Sequence, residues 1–117
     1  MVVYGIPNCD TVKKARSWLS LHGVEHAFHD FRKGGVPEAA LTRWIATLGW
    51  QPLLNRKGTT WRKLDETAQQ AAGDEAGACR LMQTQASVIK RPVVEWPDGA
   101  VTVGFDADDW MRRTTEG

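Results

Sequence analysis

The chain has 117 residues, a formal net charge of +1, and 42% hydrophobic against 25% charged residues. This length fits one domain spanning residues 1–117, with a core that needs no disulfide or metal staple. The near-neutral charge excludes a general affinity for nucleic-acid backbones, and no apolar run is long enough to cross a bilayer. The opening MVVYGIPNCD has no basic stretch, long apolar run or cleavage signal of a leader. The chain therefore reads as cytoplasmic, with neither a membrane nor a nucleic acid as a direct partner. In a reducing compartment its two cysteines, Cys9 and Cys79, are not expected to form a structural bridge.

Residues 1–4 are apolar and β-branched and predict a short buried strand. Gly5, Ile6, Pro7 and Asn8 break it. A helix follows, with Val12, Ala15, Trp18 and Leu19 on one face and Gly23 at its end. Residues 24–31 predict a second strand and residues 32–35 a loop. Leu41, Trp44, Ile45 and Leu48 then recur at i, i+3, i+4 and i+7, with Pro37 in the first turn of that helix and Gly49 closing it. After the loop Leu54-Asn55-Arg56-Lys57-Gly58, two short helices are expected at 63–72 and 74–85, separated by Gly73.

The period changes after Pro92. Residues 93–96 and 100–103 predict a hairpin around Pro97-Asp98-Gly99. Asp106 is placed to cap a last helix that turns Ala107, Trp110 and Met111 inward. The order β-α-β, helices, β-β-α implies an α/β fold: a mixed four-stranded sheet with flanking helices and a helical insertion, the thioredoxin-like plan.

Cys9 stands where the first helix begins. Unpaired amides and the positive end of the helix dipole stabilise a thiolate there and make it nucleophilic. Thr11 lies within reach of the sulfur. Position alone also fits an inert cysteine packed at a strand–helix junction. Arg91-Pro92 precedes an apolar run and is a candidate cis bond, although an ordinary trans proline opening a strand fits as well. Arg56, Lys57, Lys90 and Arg91 are either guanidinium and ammonium groups for an anion near Cys9 or solvated surface charges.

The three histidines do not suit a metal site. Gly23 separates His22 from His26, and His26 and His29 fall on opposite faces of a strand. Cys79 has Met82 and Ala86 at i+3 and i+7 and reads as a packing residue. No C-x-x-C, Ser/His/Asp signature, phosphate-binding loop or G-x-G-x-x-G is present.

The segment from Tyr4 to Ala15, YGIPNCDTVKKA, resembles the start of the ArsC/Spx family, in particular its YffB-like branch. The central LLNRKGTTW (from Leu53 to Trp61), the late IKRPVV (from Ile89 to Val94) and Val103-Gly104-Phe105 follow in that family's order. The resemblance covers essentially the whole chain. It implies that Cys9 is the nucleophile, that Arg56 and Arg91 line an anion site, and that Pro92 is cis. Asn8 and Thr11, on either side of the cysteine, complete the candidate set.

Two departures narrow the expected function. The arsenate reductases of the family carry a third arginine near Gly104 and a His-Asn pair where this chain has Gly5-Ile6. The Spx regulators carry C-x-x-C, whereas the residues here are Cys9-Asp10-Thr11-Val12. The expectation is a thiol reductase with one catalytic cysteine and no permanently bound cofactor. Glutathione would be the thiol cosubstrate, and a small thiol, a small disulfide or a protein disulfide the partner. An RNA polymerase-binding regulator of the Spx type and an arsenate reductase are the alternatives.

Overall fold

The structure, a computed structural model, describes residues 1–115. In chain order the elements are β1 (Val2–Gly5), α1 (Asp10–Leu21), β2 (Ala27–Asp30), α2 (Phe31–Gly34), α3 (Glu38–Leu48), α4 (Thr59–Lys63), α5 (Glu66–Ala71), α6 (Glu75–Thr84), a 3-10 turn (Ala86–Val88), β3 (Val93–Glu95), β4 (Val101–Val103) and α7 (Ala107–Thr115). They fall into two compact units: residues 1–30 with those from 91 onward, and residues 31–90.

The first unit holds the expected mixed sheet, in the order β2-β1-β3-β4. β1 runs parallel to β2, with Val3 beside Phe28, and antiparallel to β3, with Val3 beside Val94. Those side chains share one sheet face, because alternate residues of a strand point the same way. Val3, Val94, Ala15, Leu19, Trp96 and Trp110 pack there as one buried cluster, with Phe28, Trp18 and Phe105 against it. The cluster explains both helices. α1 turns Val12, Ala15 and Leu19 inward, and α7 is anchored by Trp110.

Asp106 caps α7 as expected, its carboxylate accepting from the Asp109 amide at 3.1 Å. Met111 and Ala107 are exposed rather than inward, because the buried stripe of this short helix is centred on Trp110. A hydrogen bond from Arg113 holds the Asp109 carboxyl below its usual range. The small stabilisation this gives is present at neutral pH and fades as the group protonates in acid.

The second unit is helical. Phe31, Ala40, Leu41, Trp44, Leu53, Leu54, Ala72, Ala78, Met82, Val88 and Ile89 are its buried apolar residues. Pro37 sits just ahead of α3, at the N-cap rather than in the first turn. Asp65 and Asp74 cap α5 and α6, each accepting a backbone amide at 2.8 Å. These caps start both helices later than the sequence periodicity suggests. Two further differences are local. β2 is only four residues long, since β1 offers four partners, so residues 24–26 are connection. Residues 31–34 form a helical turn, closed by the Gly35 amide on the Phe31 carbonyl at 2.9 Å.

Candidate active site

Cys9 occupies the N-cap of α1 in extended backbone, φ −127° and ψ 125°, and its side chain makes no capping hydrogen bond. Its carbonyl accepts the Lys13 amide at 2.9 Å, the first bond of the helix. The thiol is free and partly exposed, and Asn8 and Thr11 beside it are exposed. Ser, Thr, Asp and Asn are the usual N-cap residues because a side-chain oxygen satisfies an early amide. A cysteine gives up that stabilisation and puts a sulfur, in place of an oxygen, on the residue that opens the helix.

Gly5 fixes where the helix begins. A Cβ there would stand 2.9 Å from Val12 Cγ2, so the missing side chain lets the first turn of α1 pack onto the end of β1. Val12 is wholly buried. Cys9 therefore has no cysteine partner in its own turn, and the residue in that place is part of the core.

The register brings the second feature to the same end of the sheet. Tyr4 pairs with Val93, so the chain leaving β1 toward Cys9 and the chain entering β3 through Arg91-Pro92 meet the sheet edge together. Neighbouring strands lie about 4.8 Å apart. The Arg91–Pro92 bond is cis, Pro92 is buried, and Arg91 is partly exposed with a buried Nε. Val93 also pairs with Val103, which puts Gly104 at this end too. Its amide donates to the Pro92 carbonyl at 2.9 Å.

Gly104 has φ 79°, a conformation that L side chains rarely adopt. An arginine at this position would be strained. Gly104→Arg and Gly104→Ala are both expected to cost about 1–2 kcal/mol, read as a lower denaturant midpoint. Equal midpoints for wild type and both variants would show that this turn tolerates a side chain.

Arg56 belongs to the second unit, on the exposed loop between Leu54 and α4. Its guanidinium carbon lies 5.8 Å from the ring centroids of both Trp50 and Trp61. Neither tryptophan is among the candidate site residues read from the sequence. The available signal was an aromatic residue a few positions to either side of a basic loop. Cys79 lies on α6 and is a free, partly exposed thiol.

Each histidine is engaged locally. The His22 ring stacks on Trp18 at 3.9 Å, the His26 Nδ1 is 3.0 Å from the Val24 carbonyl, and His29 lies 5.3 Å from the Tyr4 ring. Among the described residues no group of three or more His, Cys, Asp or Glu is placed to hold a metal ion. No helix among them is long and apolar enough to cross a membrane.

A model of the ArsC family matches residues 4–112. The chain is similar to the solved structure of a YFFB protein, with 51% identity, a TM-score of 0.89 and 96% of each chain covered. It is also similar to an arsenate reductase (ArsC) related protein from Brucella melitensis, with 48% identity, a TM-score of 0.74, and 93% of this chain and 89% of that one covered. An uncharacterized protein from Haemophilus influenzae is 40% identical over 95% of this chain and 96% of its own length. The shared architecture is the thioredoxin-like α/β fold with its mixed four-stranded sheet.

Proposed function

Because the chain belongs to the ArsC family and is thereby related to arsenate reductases, we propose that it is a cytoplasmic glutathione-dependent thiol reductase acting through Cys9 alone. One observation carries the reading. A partly exposed, free thiol stands at the N-cap of a twelve-residue helix and makes no capping hydrogen bond. Such a thiol is open to reaction, and its thiolate is the form that attacks sulfur.

In the proposed reaction the Cys9 thiolate attacks the glutathione sulfur of a mixed disulfide. The old S–S bond breaks, the other thiol leaves as a thiolate, and Cys9–S–S–glutathione remains. A second glutathione thiolate attacks the glutathione sulfur of that adduct. Cys9 leaves as a thiolate, and oxidised glutathione carries away the two electrons' worth of oxidation. Val12, in place of a second cysteine, forces this external resolution. Arg91 and, on the family pattern, Arg56 would hold glutathione carboxylates through paired N–H donors. Gly104 in place of a third arginine weighs against an arsenate-sized oxyanion as the main substrate.

Incubation with oxidised glutathione followed by mass spectrometry tests the reading. A glutathione adduct on Cys9 that excess glutathione removes is expected. An adduct on Cys79 alone, or on neither residue, would overturn it. Arg91→Ala is expected to weaken glutathione binding by about ten- to hundred-fold, the worth of a charge-assisted hydrogen bond. Arg91→Lys should not restore it fully, because an ammonium cannot reproduce the planar fork. Unchanged affinity in calorimetry would remove Arg91 from the site.

A further inference from the structure

The loop that carries Arg56 lies between two tryptophans. Trp50 comes from the chain after α3 and Trp61 from the middle of α4, and both rings are partly buried. The guanidinium carbon is 5.8 Å from each ring centroid, within the range of cation–π attraction. The base of the loop is fixed. The Leu53 carbonyl accepts the Lys90 amide at 2.7 Å, the Val88 carbonyl accepts the Asn55 amide at 2.7 Å, and Leu54 bridges to Ile89. The Asn55 side chain accepts the Lys57 amide at 3.1 Å and closes the turn. The Trp61 carbonyl accepts from Gln69 Nε2 at 2.9 Å, tying that ring's backbone to α5.

Aromatic faces attract a guanidinium without neutralising it. They contribute no acceptor oxygen, so the in-plane N–H donors stay available to a carboxylate. Among the described residues no carboxylate shares an ion pair with Arg56. An exposed arginine on a loop normally samples many rotamers, and a ligand must then order it on binding. Two indoles reduce that cost in advance.

We propose that Trp50 and Trp61 are positioning residues that hold the Arg56 guanidinium for a carboxylate of a small peptide thiol. This rests on the reading of Arg56 as a carboxylate-binding residue. The two tryptophans act through Arg56 and not on the reacting sulfur, so they set substrate affinity and leave Cys9 chemistry unchanged.

The test titrates S-methylglutathione, which keeps the glutathione carboxylates and has no free thiol, into the full chain by calorimetry. Trp50→Leu and Trp61→Leu are each expected to weaken binding about three- to ten-fold. Trp50→Phe and Trp61→Phe, which keep an aromatic face, should retain most of the affinity. The rate of Cys9 alkylation by uncharged iodoacetamide should stay at the wild-type value in all four. In an Arg56→Ala background the leucine substitutions should add nothing. Wild-type affinity in the leucine variants while Arg56→Ala binds weakly would overturn the positioning role alone. So would equal losses in the leucine and phenylalanine variants, an effect that persists without Arg56, or a changed Cys9 alkylation rate. Wild-type affinity in Arg56→Ala itself would overturn the parent reading, and this one with it.

Discussion

Cys9→Ser is expected to lower the reduction of a glutathione mixed disulfide by at least about 10³-fold while leaving the fold intact or slightly more stable. The loss follows from chemistry. A serine hydroxyl is not ionised near neutral pH and does not exchange with disulfides, so removing the thiolate removes the covalent intermediate itself. The stability expectation follows from the N-cap. Cys9 caps α1 without a side-chain hydrogen bond, whereas serine is among the preferred residues there and can accept an early amide. The gain should be up to about 1 kcal/mol, seen as an equal or higher denaturation midpoint. Activity and stability would then move in opposite directions, which a merely destabilising substitution cannot produce. Cys79→Ser, on α6, is the control and should retain the wild-type rate. Comparable rates in wild type and Cys9→Ser would refute single-cysteine catalysis at this position.

The opposed demands on residue 9 also bear on what the sequence reveals. The helix start was legible because Gly5, Pro7 and Asn8 end a strand and Val12, Ala15 and Leu19 then follow a helical period. All three are buried in the structure. The hairpin was legible from Pro97-Asp98-Gly99, and α3 from its heptad-like spacing. The reach of the second strand was not legible. Val24, His26 and Phe28 alternate well enough for a longer strand, but pairing stops where β1 supplies no partner. α4 was missed because Thr59, Thr60 and Trp61 have weak helix propensity, and the segment is only five residues long. Met111 was misplaced because a nine-residue helix buries a narrow stripe, and Trp110 fills it. Of the candidate site, Cys9, Thr11 and Asn8 were readable from local sequence. The pairing of the Arg91–Pro92 segment with their end of the sheet depends on the β1–β3 register. The contacts of Arg56 with Trp50 and Trp61 depend on tertiary geometry, of which an aromatic residue on either side of the basic loop is only a hint.

Trp110→Ala is expected to be the most destabilising single change in the first unit. Trp110 is 1% exposed. It meets Phe105 at 4.8 Å, Trp96 at 5.3 Å and Trp18 at 5.9 Å between ring centroids, each edge-on. Those rings come from the turn after β4, the end of β3, and α1, so one side chain ties α7, the sheet and α1 together. Truncation removes the transfer free energy of an indole and leaves a cavity that three rigid rings cannot collapse to fill. The cost should be about 3–5 kcal/mol, a large part of the roughly 5–15 kcal/mol that holds a domain folded. The melting temperature should fall by about 10–25 °C. Edge-to-face aromatic pairs add to this beyond their buried area, so Trp110→Phe, which keeps a ring in the pocket, should lose clearly less. The near-ultraviolet circular dichroism of the aromatic cluster should weaken in the alanine variant even at temperatures where it remains folded. Because α1 carries both Trp18 and the Cys9 N-cap, loosening the cluster should also change the alkylation rate of Cys9 as the variant is warmed toward its midpoint. A stability within about 1 kcal/mol of wild type would mean that α7 contributes little to holding α1, and the position of Cys9 would then depend on Val12, Ala15 and Leu19 packed against the sheet.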